Sequence, residues 1–137
     1  MGQGGKPILC LDFDGVIHSY ASGWVSETFI PDPPVLGAFE FLYSCRDVFD
    51  VRIFSSRSKT QEGRVAMYTW LKYWADKALD NTEPLWRANA VINMFNRGDA
   101  WPAEKPPAFL TIDDRAITFC GKWPSMRELQ DFKPWYK

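Results

Sequence analysis

The sequence predicts a single α/β domain with a central parallel sheet. Three short apolar runs, rich in β-branched and aromatic residues, each end in polar residues: 8–11, 51–54 and 109–112. Helical patterns separate these runs, as expected for parallel strands joined by crossover helices. With 137 residues, 46% of them hydrophobic and 24% charged, the chain is long enough for one ordinary globular core. We therefore expect residues 1–137 to form one domain, with residues 1–7 as a loose start.

The first predicted helix follows the first strand. Asp32-Pro33-Pro34 is a helix start signal, with Asp32 as the N-cap. One apolar helical face then runs through Val35, Leu36, Phe39, Leu42 and Tyr43.

The second predicted helix begins near Ser58, where Ser58 and Gln61 fit a capping box, and ends at 78–80. Residues 90–95 fit a strand or a helix equally well, because periodicity does not separate the two for a short apolar run. Residues 124–132 are expected to form a short final helix.

Composition excludes several classes of protein. A net charge of −1 gives no basic signature for tight, non-specific binding to nucleic acid. No apolar stretch approaches the roughly 18 residues that span a membrane. The three cysteines, Cys10, Cys45 and Cys120, have no metal-binding spacing, so we expect free thiols and a cytoplasmic protein.

Two carboxylates directly follow the first apolar run. Asp12 and Asp14 are separated by one residue, and Gly15 lets the chain turn away from the strand. Like charges at a strand end need a cation or a shared proton. Because ligands bind at the carboxyl ends of strands in open α/β sheets, we expect these residues to meet Ser55 and the pair Asp113-Asp114.

This set of residues suits phosphoryl transfer. Four carboxylates around one point favour Mg²⁺, whereas a single histidine and scattered cysteines give no support for zinc. Asp12, nearest the strand, is the predicted nucleophile and Asp14 the general acid and base. Ser55, with the backbone N–H of Ser56, is expected to bind a phosphate oxygen.

Other residues are assigned to the surroundings of this site. Lys105, just before the third run, is the expected counter-charge, with Lys59 as its rival. Gly15, His18 and Arg57 are the further substrate-binding candidates. Arg57 either orients phosphate or pairs with an acid. His18 either contacts substrate or is a packing residue of the segment 16–31 that follows the first acidic motif.

The motifs resemble those of the haloacid dehalogenase-like (HAD) phosphotransferases. That family carries an Asp-x-Asp motif, then a Ser or Thr, a Lys and a paired acidic motif, in the order of Asp12-Phe13-Asp14, Ser55, Lys105 and Asp113-Asp114. The resemblance implies a Rossmann-like three-layer domain and a magnesium-dependent phosphatase with an aspartyl-phosphate on Asp12. It also implies metal binding by the Asp12 and Asp113 carboxylates and the Asp14 carbonyl, with Asp114 acting directly or through water.

The short gaps between motifs resemble the capless members of that family. Residues 16–31 would form a minimal flap, with no large cap, and the open site would suit large substrates or a partner that completes it. One alternative is a nucleotidase or a nucleic-acid end-processing (polynucleotide) phosphatase. The net charge gives no indication of nucleic-acid binding, but the open site would permit it. The other is a non-catalytic phospho-binding or receiver-like module, but in receivers the acidic pair comes first.

Overall fold

A computed structural model describes residues 5–79 and 86–137. It contains a three-stranded parallel sheet formed by β1 (Ile8–Leu11), β2 (Asp50–Ile53) and β3 (Leu110–Ile112). β1 is central, in the order β2-β1-β3, and it pairs in parallel with both neighbours. The three apolar runs thus locate the strands to within one residue, and the predicted α/β class with a parallel sheet is confirmed.

Four α-helices lie in the described parts of the chain: α1 (Ala38–Cys45), α2 (Gln61–Ala78), α3 (Trp86–Met94) and α4 (Met126–Gln130). Short 3-10 turns occupy Ser56–Lys59 and Gly98–Ala100. Residues 90–94 are therefore helical, which settles the ambiguous run. The first four residues of the predicted loose start, and residues 80–85, lie outside the described residues.

The first helix begins later than predicted, and Asp32 does not cap it. The carboxylate of Asp32 instead accepts hydrogen bonds from the backbone N–H and the hydroxyl of Ser22, at 2.7 and 2.6 Å. The chain continues as a non-helical segment through the two prolines, and α1 starts only after Gly37, whose φ is 84°. A left-handed backbone conformation is readily available to glycine, so the helix start is fixed there.

The predicted capping box of α2 is also wrong in its residues. Thr60 is the N-cap, and its side chain accepts a hydrogen bond from the N–H of Gly63. Ser58 instead belongs to a box one turn earlier, in which Ser55 caps the 3-10 turn and Ser58 Oγ accepts from the Ser55 N–H. The two consecutive caps place Ser55, Ser56 and Arg57 in a fixed turn after β2.

The core lies between the sheet and the first three helices. Leu9, Leu11, Val51 and Ile53 pack in one buried cluster with side chains of α1, α2 and α3. In contrast, all three residues of β3 are exposed. Cys10 and Cys45 are buried, Cys120 is exposed, and all three are free. Among the described helices, none combines the length and the apolarity needed to cross a membrane.

Trp70 on α2 connects this core to the loop that follows β1. Its ring packs edge-on against Phe13 and His18, with centroid distances of 5.1 and 5.6 Å. Its indole N–H donates to the Asp32 carbonyl at 3.0 Å. Trp70, near the middle of α2, therefore contacts both ends of the loop between β1 and α1.

We expect Gly63→Ala to destabilise the protein, although alanine ordinarily favours a helix over glycine. A Cβ at this position would overlap the Arg57 carbonyl oxygen, so the 3-10 turn or α2 would have to shift. Overpacking of this kind costs about 1–3 kcal/mol, which urea denaturation would detect. Gly98→Ala is the control, since a Cβ there meets open space, and equal free energies of unfolding for the two variants would contradict the prediction.

Candidate active site at the strand ends

The strand register brings the polar residues after the three strands to one edge of the sheet. Leu11 pairs with both Ile53 and Ile112, so Asp12, Phe54 and Asp113 emerge side by side. The Asp12 N–H donates to the Ile112 carbonyl at 3.0 Å. A cavity of about 310 Å³ opens at this edge and is lined by Asp12, Asp14, Tyr20, Phe54, Ser55, Ser56, Asp113, Asp114, Arg115 and Tyr136.

Three carboxylates form the centre of this cavity. One oxygen each from Asp12, Asp113 and Asp114 lies within 4.8 Å of the others, an arrangement that could hold a metal ion. Burial and a hydrogen bond to Asp114 raise the pKa of Asp12 to about 8. Burial acts to raise the pKa of Asp114 as well, but the hydrogen bonds that it accepts from Asp12 and Tyr136 lower it. A carboxyl proton on Asp12, directed at Asp114, would relieve the repulsion between the two groups.

Asp14 lines the same cavity but is neutralised by the chain itself. Arg57 Nε donates to both of its carboxylate oxygens, at 3.2 and 3.0 Å, and His18 Nδ1 donates to Oδ1 at 2.8 Å. Arg57 is fully buried, and its Nη1 also binds the carbonyls of Ser26 and Phe29 in the predicted flap. Arg57 therefore holds Asp14 and the flap together.

The tautomer of His18 follows from its second hydrogen bond. The Asp32 N–H donates to Nε2 at 3.1 Å, so the ring hydrogen lies on Nδ1 and is given to Asp14. The ring has no exposed surface and also packs against Phe13. A buried ring with both nitrogens engaged fixes the orientation of the Asp14 carboxylate.

Ser55 and Ser56 lie where the sequence predicts them, at the cavity edge after β2. Ser55 Oγ accepts a hydrogen bond from the Arg57 N–H at 2.9 Å. The hydroxyl in turn donates to Met67 Sδ, with 3.6 Å between Oγ and Sδ. Sulfur is a weak acceptor, so this hydrogen can turn to a better oxygen acceptor in the cavity.

The structure places the three predicted substrate contacts Gly15, His18 and Arg57 behind the cavity rather than along it. Gly15 is buried, its N–H donates to the His18 carbonyl at 2.8 Å, and its φ is 83°. The side chains of His18 and Arg57 are fully buried against Asp14. Of the two roles left open for Arg57, the structure shows the ion pair with an acid.

Neither Lys105 nor Lys59 lines the cavity. Lys105 is exposed, and its charge acts on Cys10, where burial raises the pKa of the thiol and Lys105 partly offsets this effect. Lys59 is exposed at the end of the 3-10 turn. Along the described cavity lining, the one cationic side chain is Arg115.

Two tyrosines of the cavity lining carry no recognisable sequence signal. Tyr20 has a positive φ of 64°, a strained conformation for a bulky residue, and its ring packs edge-on against Tyr136 at 5.9 Å. Tyr136 is more than a hundred positions away in sequence, and its hydroxyl donates to Asp114 Oδ2 at 2.6 Å. Only tertiary packing brings the two rings together, so periodicity and spacing do not reveal them.

In comparisons with known proteins, no family model, no curated protein and no solved structure matches the chain.

We expect the free energy of unfolding to depend on Asp32 at acid pH. Burial opposes ionisation of Asp32, but the hydrogen bonds from Ser22 and the nearby His18 lower its pKa below the ordinary 3.8. Stability from the ionised group is thus fully present above pH 3.8 and is lost as the pH falls through the folded-state pKa. Urea denaturation across acid pH should give a shallower loss for Asp32→Asn than for wild type. Asp76→Asn, exposed on α2, is the control, and parallel profiles for wild type and Asp32→Asn would refute the expectation.

Proposed function

We propose that the protein is a magnesium-dependent phosphomonoesterase of the HAD type, with an aspartyl-phosphate intermediate on Asp12. One observation carries the proposal: Asp12, Asp113 and Asp114 cluster beside Ser55 in one cavity, at the carboxyl ends of three parallel strands. The proposal includes the finer fold, which is one Rossmann-like three-layer HAD domain with a minimal flap at 16–31 and no large cap. It also includes a cytoplasmic location.

The chemistry of the donors suits Mg²⁺. The Asp12, Asp113 and Asp114 carboxylates offer oxygen ligands alone, which hard divalent cations prefer. With four acidic residues and a phosphate in one place, an ion bound there would neutralise charge on the phosphoryl oxygens. The exposed side chain of Asp113 would face solvent from which the ion enters.

Asp12 attacks the phosphorus atom in the first step. A bond forms between its carboxylate oxygen and phosphorus as the bond from phosphorus to the ester oxygen breaks. Ser55 and the Ser56 N–H bind phosphoryl oxygens, and Arg115, at the cavity edge, supplies the positive charge that the sequence assigns to a lysine.

Asp14 moves the proton in both steps. It gives a proton to the leaving ester oxygen and takes one from the water that attacks phosphorus in the second step. The bond between Asp12 and phosphorus then breaks, releasing inorganic phosphate and restoring both carboxyl groups. Arg57 and His18 hold the carboxylate in one orientation at the cavity, and Asp14 must take up a proton from solvent before it can give one to the ester oxygen.

We expect Asp12→Asn to lose Mg²⁺-dependent hydrolysis of p-nitrophenyl phosphate, because an amide is a poor nucleophile toward phosphorus. Steady-state release of p-nitrophenol measures this loss. Asp47→Asn is the control, since Asp47 is an exposed carboxylate outside the cavity lining. Equal turnover by wild type and Asp12→Asn would show that Asp12 is not the nucleophile.

We expect Asp14→Asn to lower kcat by about 10²–10⁴-fold, the usual contribution of a general acid–base group. The loss should be smaller for aryl phosphates, whose leaving oxygen needs little protonation, than for alkyl phosphates. An equal loss on both substrates would remove Asp14 from the protonation step.

Comparing the hydrolysis of a 5′-phosphorylated oligonucleotide with that of its mononucleotide, under the same conditions, separates an end-processing enzyme from a nucleotidase.

A further inference from the structure

Residues 134–137 return to the cavity from a distant part of the chain. We call them the 134–137 segment. Most residues between β3 and this segment are exposed, whereas Pro134 is buried again. General burial of apolar side chains therefore does not explain the return, and specific contacts at the cavity are needed.

Three hydrogen bonds supply these contacts. Trp135 Nε1 donates to the Gly15 carbonyl at 2.8 Å, which fixes the segment to the loop after β1. The Tyr136 hydroxyl donates to Asp114 Oδ2 at 2.6 Å, and Arg115 Nη2 donates to the same hydroxyl at 3.4 Å. One segment thus contacts both the first acidic motif and the last.

Close packing around Gly15 adds to this constraint. A Cβ at Gly15 would lie 2.5 Å from Asp114 Oδ2 and 2.7 Å from Tyr136 Cε2. The Asp114 carboxylate is therefore confined between the backbone of Gly15 and the ring of Tyr136. Its Oδ2 accepts the hydrogen bond from the tyrosine, so ring and backbone together fix the orientation of the carboxylate that clusters with Asp12 and Asp113.

We infer that the 134–137 segment is part of the metal site, with Tyr136 as a positioning residue for Asp114 and Trp135 as its anchor. The inference rests on the proposed function, since it assigns the segment to the same cation site. A hydrogen bond to a ligating carboxylate fixes its orientation, and loss of such a partner typically lowers metal affinity about 10–100-fold. Tyr136 would thus act on metal binding through Asp114 and would not touch the reacting atoms.

The test is to measure Mn²⁺ binding in the absence of substrate. The electron paramagnetic resonance signal of the free ion reports how much Mn²⁺ remains unbound. Mn²⁺ shares the oxygen ligands of Mg²⁺ and reports binding without any reaction. Tyr136→Phe keeps the ring against Tyr20 and Gly15 and removes only the hydroxyl. We expect its Kd for Mn²⁺ to rise about 10-fold or more. Tyr73→Phe, which removes a hydroxyl on the exposed side of α2, should leave the Kd unchanged.

A double-mutant cycle separates positioning from general stability. If Tyr136 acts through Asp114, Tyr136→Phe should add little to the loss of affinity already caused by Asp114→Asn. Additive losses, or a Tyr136→Phe variant that is less stable but binds Mn²⁺ as wild type does, would overturn the inference alone. A wild-type protein that binds no Mn²⁺ would overturn the proposed cation site as well, so the two failures are distinguishable.

Discussion

The crowding of carboxylates at one edge of the sheet is the constraint on which the rest of the site depends. The parallel register places Asp12 beside Asp113, and three carboxylates come within 4.8 Å. The repulsion among these carboxylates is reduced in a different way at Asp12, Asp14 and Asp114. Asp14 accepts hydrogen bonds from a buried arginine and a histidine, and Asp114 accepts one from a tyrosine hydroxyl. Burial and the neighbouring Asp114 raise the pKa of Asp12. In the described part of the chain, the cluster of Asp12, Asp113 and Asp114 has no buried cation like the Arg57 that pairs with Asp14. A metal ion would therefore be most stabilising at this cluster.

The division between Asp12 and Asp14 follows from this difference in surroundings. Asp12 and Asp14 are two positions apart on one loop, yet it is Asp14 that accepts hydrogen bonds from both Arg57 and His18. The same arginine binds the carbonyls of Ser26 and Phe29, and the ring of Trp24 lies 4.7 Å from its Cζ. Breaking a buried ion pair by removing one partner is costly, so Arg57 stabilises Asp14 and the segment that contains Ser26 and Phe29 together.

Local patterns predicted the framework well but misplaced several details. The apolar runs located all three strands, because buried parallel strands need continuous apolar residues. Asp32 carries a good N-cap signal, but its carboxylate is used by Ser22, and the helix starts after Gly37. Ser58 carries a capping signal for α2, but its hydroxyl accepts from the N–H of Ser55, which caps the turn before α2. A capping residue has several possible partners nearby, and only packing selects among them.

Apolar runs and motif order alone are enough to predict the sheet and the convergence of Asp12, Asp14, Ser55 and Asp113-Asp114 on one edge. These features depend on residues close together along the chain and on the shared direction of parallel strands. Tertiary packing accounts for a second set of contacts. It buried Arg57 against Asp14, left Lys105 outside the cavity lining, and brought Tyr136 to Asp114. Such contacts join residues far apart in sequence through side-chain packing and charge compensation, for which the chain carries no local pattern.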